Sequence, residues 1–188
     1  MRSFIGLPVA ASATQVLTNL QSGLASTRWV LPDDFHITLA FLGDIRPEQF
    51  KELDFQLSQL LLNEIEILID GLGCFERVGQ TQTVWAGVSA SAELQDCADQ
   101  VRRCCALADI DYDRARFKPH VTLGRFAKRP VANLTSWIDQ RSSLARADFW
   151  CSEMVVYKST LTPDGARYAR AAEYPLKTYE DIYWEQEP

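Results

Sequence analysis

Apolar residues recur along this chain with two spacings, one typical of strands and the other of helices. Short stretches rich in β-branched and aromatic residues, bounded by Gly, Pro, Asn or Asp, predict strands. These stretches are Ser3 to Val9, Trp29 to Val30, Phe35 to Leu42, Ile65 to Ile69, Thr83 to Val88, Pro119 to Phe126, Phe149 to Tyr157 and Arg167 to Tyr174. A Gly-rich bend at 71–73 and a turn at 162–165 are expected between neighbouring strands.

Apolar residues three or four positions apart predict four helices between these strands. The first is expected to begin at Ser12, where Gln15 has the spacing of a capping box. The second opens at Pro47, the third at Ser91, and the fourth spans 133–141. Strands separated by helices can also form a parallel sheet, but the tight turn between the last two strands favours an antiparallel one. The pattern therefore predicts the α+β class.

Two of the predicted strands carry the same tetrapeptide, His-x-Thr-Leu, at His36–Leu39 and His120–Leu123. The chain has 2 histidines, and each opens one copy. From the chain's own Thr and Leu frequencies, the coincidence has a chance on the order of one in 10⁴. Because each half of the chain supplies one copy, we expect a bilobal duplicated fold. In it, two antiparallel sheets face a central cleft, helices pack outside, and residues 1–188 form a single domain of two pseudo-repeated lobes.

The tetrapeptides place proton-transfer groups beside hydroxyl donors. Residues two apart on a strand share a face, so His36 projects with Thr38, and His120 with Thr122. Histidine titrates near neutrality, so a pair can supply one base and one acid. Threonine hydroxyls can donate to phosphate oxygens. A lone strand histidine is commonly a structural, hydrogen-bonded residue, but the repeated context favours phosphoryl transfer by paired acid–base catalysis.

Charge is distributed unevenly around the second tetrapeptide. The chain has 188 residues and a formal net charge of −6, which argues against a general nucleic-acid binder. Between Asp111 and Pro130, however, six basic residues stand against two acidic ones. The basic residues are Arg114, Arg116, Lys118, Arg125, Lys128 and Arg129. A local positive patch in an acidic protein suits a small anionic group such as a phosphate.

The cysteine pattern and the apolar runs exclude several other classes of protein. The 5 cysteines form no CxxC pair, so we expect reduced structural thiols rather than a zinc site or a disulfide framework. No carboxylate cluster of metal-ligand type lies near either tetrapeptide, and we expect neither a metal nor a cofactor. No apolar run approaches the ~20 residues of a membrane span, and no signal peptide is evident. We therefore expect a cytoplasmic protein without membrane association.

With two His-x-Thr tetrapeptides, the sequence resembles the 2H phosphoesterases. The flanking segments are similar to those of the RNA 2′,3′-cyclic phosphodiesterases, also called 2′-5′ RNA ligases. The matching segments are Phe4 to Pro8, Trp29 to Gly43, Gly73 to Phe75, Val84 to Gly87, Phe117 to Arg125, and the strands around Tyr157 and Tyr168. The resemblance covers most of residues 3–176. It implies a bilobal α+β fold and metal-free hydrolysis of 2′,3′-cyclic phosphates to 2′-phosphomonoesters.

The resemblance also implies a role for each polar residue of the tetrapeptides. His36 is expected to be the proton donor to the departing 3′ oxygen, and His120 the proton acceptor that activates water. Thr38 and Thr122 are expected to hold the phosphate. Arg125 matches a family arginine that would bind it too. Regular strand alternation points Arg125 away from His120, so it reaches the phosphate only if the strand bends at Gly124.

Aromatic residues near the tetrapeptides are candidates for stacking on a nucleobase. Phe41 and Phe117 are the expected ones, and Trp29 and Phe126 lie close by. The expected partners are RNA ends or small nucleotides with a 2′,3′-cyclic phosphate, and we expect a monomer. Three alternatives stay open. The same site could form 2′-5′ RNA links, act on a cyclic phosphate of an ADP-ribose product, or bind RNA ends without catalysis.

Overall fold

A computed structural model describes residues 1–77, 80–126, 133–162 and 165–178. The strands are β1 (Arg2–Pro8), β2 (Thr27–Trp29), β3 (His36–Asp44), β4 (Ile65–Arg77), β5 (Gln80–Val88), β6 (His120–Phe126), β7 (Arg146–Cys151), β8 (Glu153–Thr162) and β9 (Gly165–Pro175). The helices are α1 (Ala11–Leu20), α2 (Pro47–Ser58), α3 (Ala92–Leu107) and α4 (Leu134–Arg141). Short 3₁₀ turns lie at Pro32–Asp34 and Ser142–Leu144.

Within these ranges the strands form one sheet, and the predicted α+β class is confirmed. The strand order is β7-β4-β5-β6-β3-β1-β8-β9, with β2 paired to β6, and the pairs between named strands are antiparallel. The prediction of two separate sheets is therefore wrong, because the described strands belong to one sheet. The two motif strands, β3 and β6, are neighbours at the centre, joined by the pair Ile37–Val121. That pair makes the two sets of strands continuous.

The two sides of the sheet do not correspond to the two halves of the chain, contrary to the prediction. One side consists of β4 to β7, which are consecutive in the sequence, together with the short β2, which pairs with β6. The other side combines β1 and β3 from the beginning of the chain with β8 and β9 from its end. The stretch Phe149 to Tyr157, predicted as one strand, is two strands separated at Ser152. There the chain crosses between sides, because β7 pairs with β4 whereas β8 pairs with β1.

The helices pack on the side of the sheet that carries the buried apolar residues. On β3, Ile37 and Leu39 are 0% and 1% exposed, alternating with the half-buried His36 and Thr38. The buried residues join one core with apolar residues of the helices. Helix α1 packs against β7, α3 against β3 and α2, and α2 also against β9. Apolar burial therefore presents the polar residues of each motif strand to the opposite face.

A β-bulge interrupts each motif strand at the same distance from its histidine. On β3, Thr38 pairs with Gly6 but the next pair is Ala40 with Ile5. On β6, Thr122 pairs with Trp85 but the next pair is Gly124 with Val84. An extra residue reverses the alternation of side chains beyond it. The fifth residue after each histidine therefore returns to the face that carries the histidine.

Two local predictions are corrected by the structure. Helix α1 begins at Ala11, and its N-cap Ala10 has no side-chain hydrogen bond, so Ser12 does not form the predicted capping box. The bend at 71–73 is an irregularity within β4, where Gly71 has φ +76° and the strand continues to residue 77. The starts of α2 at Pro47 and α3 after Ser91 agree with the prediction.

The cysteines are free thiols, as expected from their sequence pattern. Cys97, Cys104, Cys105 and Cys151 are buried, and Cys74 is half-buried. Burial raises the pKa of Cys97 and of Cys105 to about 12, so both stay protonated at neutral pH. These thiols act as small core residues. Within the described ranges, no helix has the length and apolar character required to cross a membrane.

Substitution of Gly73, which contacts the Trp85 ring, tests how tightly β4 and β5 pack. A Cβ atom at Gly73 would overlap the Trp85 ring. We expect Gly73→Ala to lower the free energy of unfolding by about 1–3 kcal/mol, as overpacking does. Chemical denaturation measures the change. Gly43→Asn is the matched control, because Gly43 has φ +63° and no atom near its missing Cβ, a conformation that Asn tolerates. Equal losses in the two variants would contradict the packing argument.

Candidate active site

A cavity of about 950 Å³ opens on the polar face of the sheet where β3 and β6 meet. Its lining includes every site residue predicted from the sequence, namely His36, Thr38, Phe41, Phe117, His120, Thr122 and Arg125. The pair Ile37–Val121 is antiparallel, so His36 lies beside Thr122 and Thr38 beside His120. The two tetrapeptides thus contribute to one site, with each histidine next to the other strand's threonine.

Both imidazoles are held by the same kind of hydrogen bond. Nδ1 of His36 lies 2.7 Å from the carbonyl oxygen of Asp34. Nδ1 of His120 lies 2.7 Å from the carbonyl oxygen of Lys118. A carbonyl can only accept, so each Nδ1 carries a proton and donates it. In the neutral rings Nε2 is then the nitrogen able to take up a proton.

Aromatic rings fix the position of His36. The ring of Phe4 is 4.5 Å from it between centroids, and Tyr168 meets it edge-on at 5.1 Å. Tyr157, from the nearby strand β8, lies 5.6 Å away. These residues come from β1, β8 and β9, so strands from both ends of the chain build the wall behind His36.

His120 has aromatic neighbours on the opposite side of the site. Phe75 of β4 meets its ring edge-on at 4.9 Å, and Trp85 of β5 lies 5.9 Å away. Phe75 and Trp85 are themselves in contact, with ring centroids 5.2 Å apart. The arrangement restricts the imidazole while leaving it at the cavity surface.

Both histidines are neutral at pH 7 in the unliganded site. Burial above all, together with the positive charge of Arg125 and the nearby His120, lowers the pKa of His36 from 6.5 to about 4, against the effect of the Asp34 carbonyl. Burial likewise lowers the pKa of His120, assisted by the charges of Lys118 and Arg125. An anion in the cavity would favour the protonated rings and raise both pKa values.

Asp34 is a functional residue that the sequence analysis missed. Its side chain is 12% exposed and its carboxylate lies 3.8 Å from Arg167. The backbone N–H of Tyr168 also donates to that carboxylate, although burial still raises the pKa of Asp34. Asp34 thereby connects the turn before His36 to β9. Its partners are far away in the sequence, so no local pattern could have indicated this role.

Positive charge dominates the cavity although the whole chain is acidic. Among the described residues, the lining contains seven cationic side chains and two acidic ones, Asp34 and Asp113. The cations are Arg2, Arg28, Arg102, Arg116, Lys118, Arg125 and Arg167. Four of them lie outside the basic cluster predicted around the second tetrapeptide, because distant strands and helices supply them. Such a lining attracts anions and favours their binding.

The predicted basic cluster is only partly at the site. Arg116, Lys118 and Arg125 line the cavity, whereas Arg114 lies over the ring of Tyr112 at 5.7 Å outside it. Arg125 reaches the cavity because of the bulge before it, as the required bend at Gly124 implied. Residues 128 and 129 lie outside the described part of the chain.

The aromatic candidates differ in accessibility. Phe41 is 52% exposed at the cavity rim, which leaves a ring face available for stacking. Phe117 lines the cavity but also packs against the core and lies under the guanidinium of Arg102, 5.6 Å away. Trp29 lines the cavity and contacts Trp137, whereas Phe126 packs against the core. Phe41 is therefore the best placed of the four.

The donors that meet in the cavity are suited to an anion. The motif residues provide two hydroxyls and two imidazoles, and Arg125 adds a guanidinium. Among the described residues, no group of three or more His, Cys, Asp or Glu side chains is arranged to hold a metal ion. Hydroxyl and guanidinium N–H and O–H groups match the oxygens of a phosphate.

Comparison with known proteins identifies the family. The sequence pattern of the 2′-5′ RNA ligase superfamily matches residues 12–162. The chain belongs to the 2′-5′ RNA ligase superfamily. It is 30% identical over 173 residues to an Archaeoglobus fulgidus protein named RNA 2′,3′-cyclic phosphodiesterase, covering 89% of this chain and 96% of that protein. An Aquifex aeolicus protein of the same name is 28% identical over 183 residues, covering 94% and 97%.

Solved structures share the fold of this chain. The protein TT0787 of Thermus thermophilus has a TM-score of 0.75 at 21% identity, over 95% of this chain and 100% of that one. Escherichia coli LigT complexed with 3′-AMP has a TM-score of 0.72 at 22% identity, over 94% and 97%. Likenesses at this identity confirm the fold of the sheet and helices.

The low pKa of His36 predicts how stability depends on pH. Between pH 6.5 and about 4, the unfolded chain binds a proton at His36 that the folded protein does not. The free energy of unfolding should therefore fall as pH falls through this window. In His36→Asn this contribution is absent, so its stability should decline less steeply. Urea denaturation of both proteins at about pH 7 and about pH 4.5 measures how much the free energy of unfolding of each one falls. The same comparison between about pH 7 and about pH 8, where His36 does not titrate, is the control. Parallel decline of the two proteins on acidification would contradict the prediction.

Proposed function

We propose that the chain hydrolyses terminal 2′,3′-cyclic phosphates of RNA or nucleotides to 2′-phosphomonoesters, with His36 as acid and His120 as base. The observation that carries the proposal is the meeting of two identical His-x-Thr pairs in one positively charged cavity. In each pair the histidine donates Nδ1–H to a carbonyl and keeps Nε2 for proton transfer. The relatives named RNA 2′,3′-cyclic phosphodiesterase support the choice of substrate.

The phosphate is held between the two motif strands. The hydroxyls of Thr38 and Thr122 donate to its non-bridging oxygens, and the guanidinium of Arg125 adds a charged hydrogen bond. These donors stabilise the negative charge that develops on the oxygens as the phosphorus becomes five-coordinate. Because the donors come from both strands, the phosphorus lies between the two imidazoles.

Proton transfer at the two imidazoles completes the reaction. Nε2 of His120 takes a proton from water as the water oxygen forms its bond to phosphorus. The bond from phosphorus to the 3′ oxygen breaks, and Nε2–H of His36 protonates that oxygen. The opposed positions of the histidines suit in-line displacement. The cycle leaves a 2′-phosphate, a neutral His36 and a protonated His120, and exchange with water restores both.

Anion binding supplies the proton that His36 needs. In the unliganded site the pKa of His36 is about 4, so this group is neutral at pH 7. A phosphodiester anion brought next to the ring favours the imidazolium and raises that pKa. The substrate therefore creates the acid that acts on it.

The surroundings of the phosphate suit a nucleotide at an RNA end. Phe41, exposed at the rim, provides a face for stacking on the base. The further arginines of the cavity can pair with phosphates of a longer chain. We propose a metal-independent, monomeric enzyme whose single domain consists of two pseudo-repeated lobes. The bulges at equivalent positions of β3 and β6 support the repeat.

The site geometry and the family bear on two of the three alternative uses of the site. A 5′-hydroxyl in place of water would give a 2′-5′ link by the same chemistry, which the family description favours as the second candidate. A site that only binds RNA ends would not need Nε2 of both histidines positioned for proton transfer. The geometry therefore supports catalysis over binding alone.

Turnover of a nucleoside 2′,3′-cyclic phosphate tests the proposal directly. We expect 2′-phosphate to be released in the presence of EDTA, with a bell-shaped pH dependence. His36→Ala and His120→Ala should each lower kcat/KM by about 10²–10⁴-fold, because each removes one proton-transfer group. Far-UV circular dichroism checks that the variants are folded. Activity that disappears on chelation and returns with added metal, or near-normal turnover by either variant, would exclude the mechanism.

A substrate with a good leaving group separates the two roles. A nitrophenyl phosphodiester bound with its leaving oxygen toward His36 needs little protonation of that oxygen. We therefore expect His36→Ala to be partly rescued on this substrate, whereas His120→Ala stays impaired because water still needs a base. The ratio of kcat/KM on the two substrates measures the rescue, which can reach about 10²–10⁴-fold. Rescue of His120→Ala alone would reverse the assignment.

A further inference from the structure

The two histidines differ in the charge of the residue two positions before each of them. That residue supplies the carbonyl that accepts Nδ1–H in both cases. It is Asp34 before His36 and Lys118 before His120. The backbone arrangement is thus the same at both sites, whereas a carboxylate accompanies one imidazole and an ammonium the other. Equivalent positions with opposite charge can give equivalent histidines different proton affinities.

The ammonium of Lys118 is held close to His120 by aromatic faces. Nζ lies 4.8 Å from the ring centroid of Trp85 and 5.2 Å from that of Phe75. These are the two rings that contact the imidazole of His120, at 5.9 and 4.9 Å. A cation over an aromatic face is attracted by the negative charge density of the ring. The long Lys118 side chain therefore has a preferred position beside the imidazole.

The packing beneath the rings keeps this position fixed. Trp85 lies directly against Gly73, where a Cβ atom would overlap the indole. Phe75 packs against Trp85 at 5.2 Å. The two rings therefore hold each other in place beneath the ammonium and beside the imidazole.

Other charged or titratable groups face the same region. Arg125, on the same strand, lowers the proton affinity of both histidines, and His36 lies across the cavity on β3. On β4, burial and the charge of Glu76 raise the pKa of the Cys74 thiol against the effect of Lys118, so the thiol stays neutral. Arg125 acts on both histidines, whereas the contacts of Lys118 are with the rings around His120. Burial lowers the proton affinity of both rings most, and Lys118 adds a positive charge beside His120.

We propose that Lys118, held on the faces of Trp85 and Phe75, is a positioning residue that opposes protonation of His120 and so keeps it available as the base when an anion in the cavity favours protonation of both rings. The equivalent residue before His36 is Asp34, whose negative charge does not oppose protonation of the ring that has to donate a proton. This inference rests on the proposed function, since it explains which of two similar histidines accepts the proton. It also concerns the free protein, where the protonation of His120 can be measured without substrate.

The test compares Lys118→Met, which keeps an unbranched chain without charge, with Lys118→Arg, which keeps the charge. Lys51→Met on the exposed surface of α2 is the matched control. NMR titration follows the His120 ring, which is assigned by the loss of the other signal in His36→Asn. The same variants are assayed for kcat and KM on a nucleoside 2′,3′-cyclic phosphate from about pH 5 to pH 9.

We expect the His120 titration of Lys118→Met to move to higher pH, and the acidic limb of kcat/KM to move with it. The ratio of kcat/KM at pH 8 to that at pH 6 should rise roughly two- to fivefold over the unaltered protein. Lys118→Arg and Lys51→Met should keep both profiles. An unchanged titration in Lys118→Met, or a pH-independent loss that appears only in KM, would overturn the proposal. If the unaltered protein does not hydrolyse the substrate, the proposed function fails, while the NMR titration still decides the role of Lys118.

Discussion

The site depends on one strand pairing, that of Ile37 with Val121 at the centre of the sheet. Both residues are fully buried. Exposing either side chain would cost free energy, so burial in the core holds the two motif strands in this register. Alternation then requires the residues on either side of each anchor to face the cavity. The chemistry is thus positioned by burial of its neighbours rather than by contacts among the polar groups themselves.

Much of this arrangement could be predicted from local patterns. The repeated tetrapeptide located both motif strands, and the period-two alternation gave the shared face of each His and Thr. The location of α2 and α3 followed from Pro47 and from Ser91, whose hydroxyl accepts the N–H of Leu94 at 3.1 Å. These features are decided within a few residues of the sequence, where turn chemistry and apolar spacing act directly.

Other features depend on contacts that no local pattern records. The bulge that brings Arg125 into the cavity is a property of pairing with β5, so regular alternation gave the wrong direction for that side chain. The carboxylate of Asp34 gains its role from Arg167 on β9. The sequence pattern did not indicate the break at Ser152, because β7 and β8 are both apolar and adjoin each other in the sequence although they pair with different strands. Long-range pairing of this kind decides whether the strands form one sheet or two. It also decides whether each side of the sheet comes from one half of the chain or from strands of both halves.

The interleaving of strands has a consequence for synthesis of the protein. Ser3 on β1 pairs with Lys158 on β8, and β9 completes that side of the sheet. A ribosome delivers the residues around His120 as one continuous block, from β4 to β7, which can begin to pair as it emerges. The surroundings of His36 must wait for Tyr157 and Tyr168, which are made after that block. A nascent chain can therefore assemble the surroundings of His120 before those of His36, and the cavity is complete only after β9 has been made.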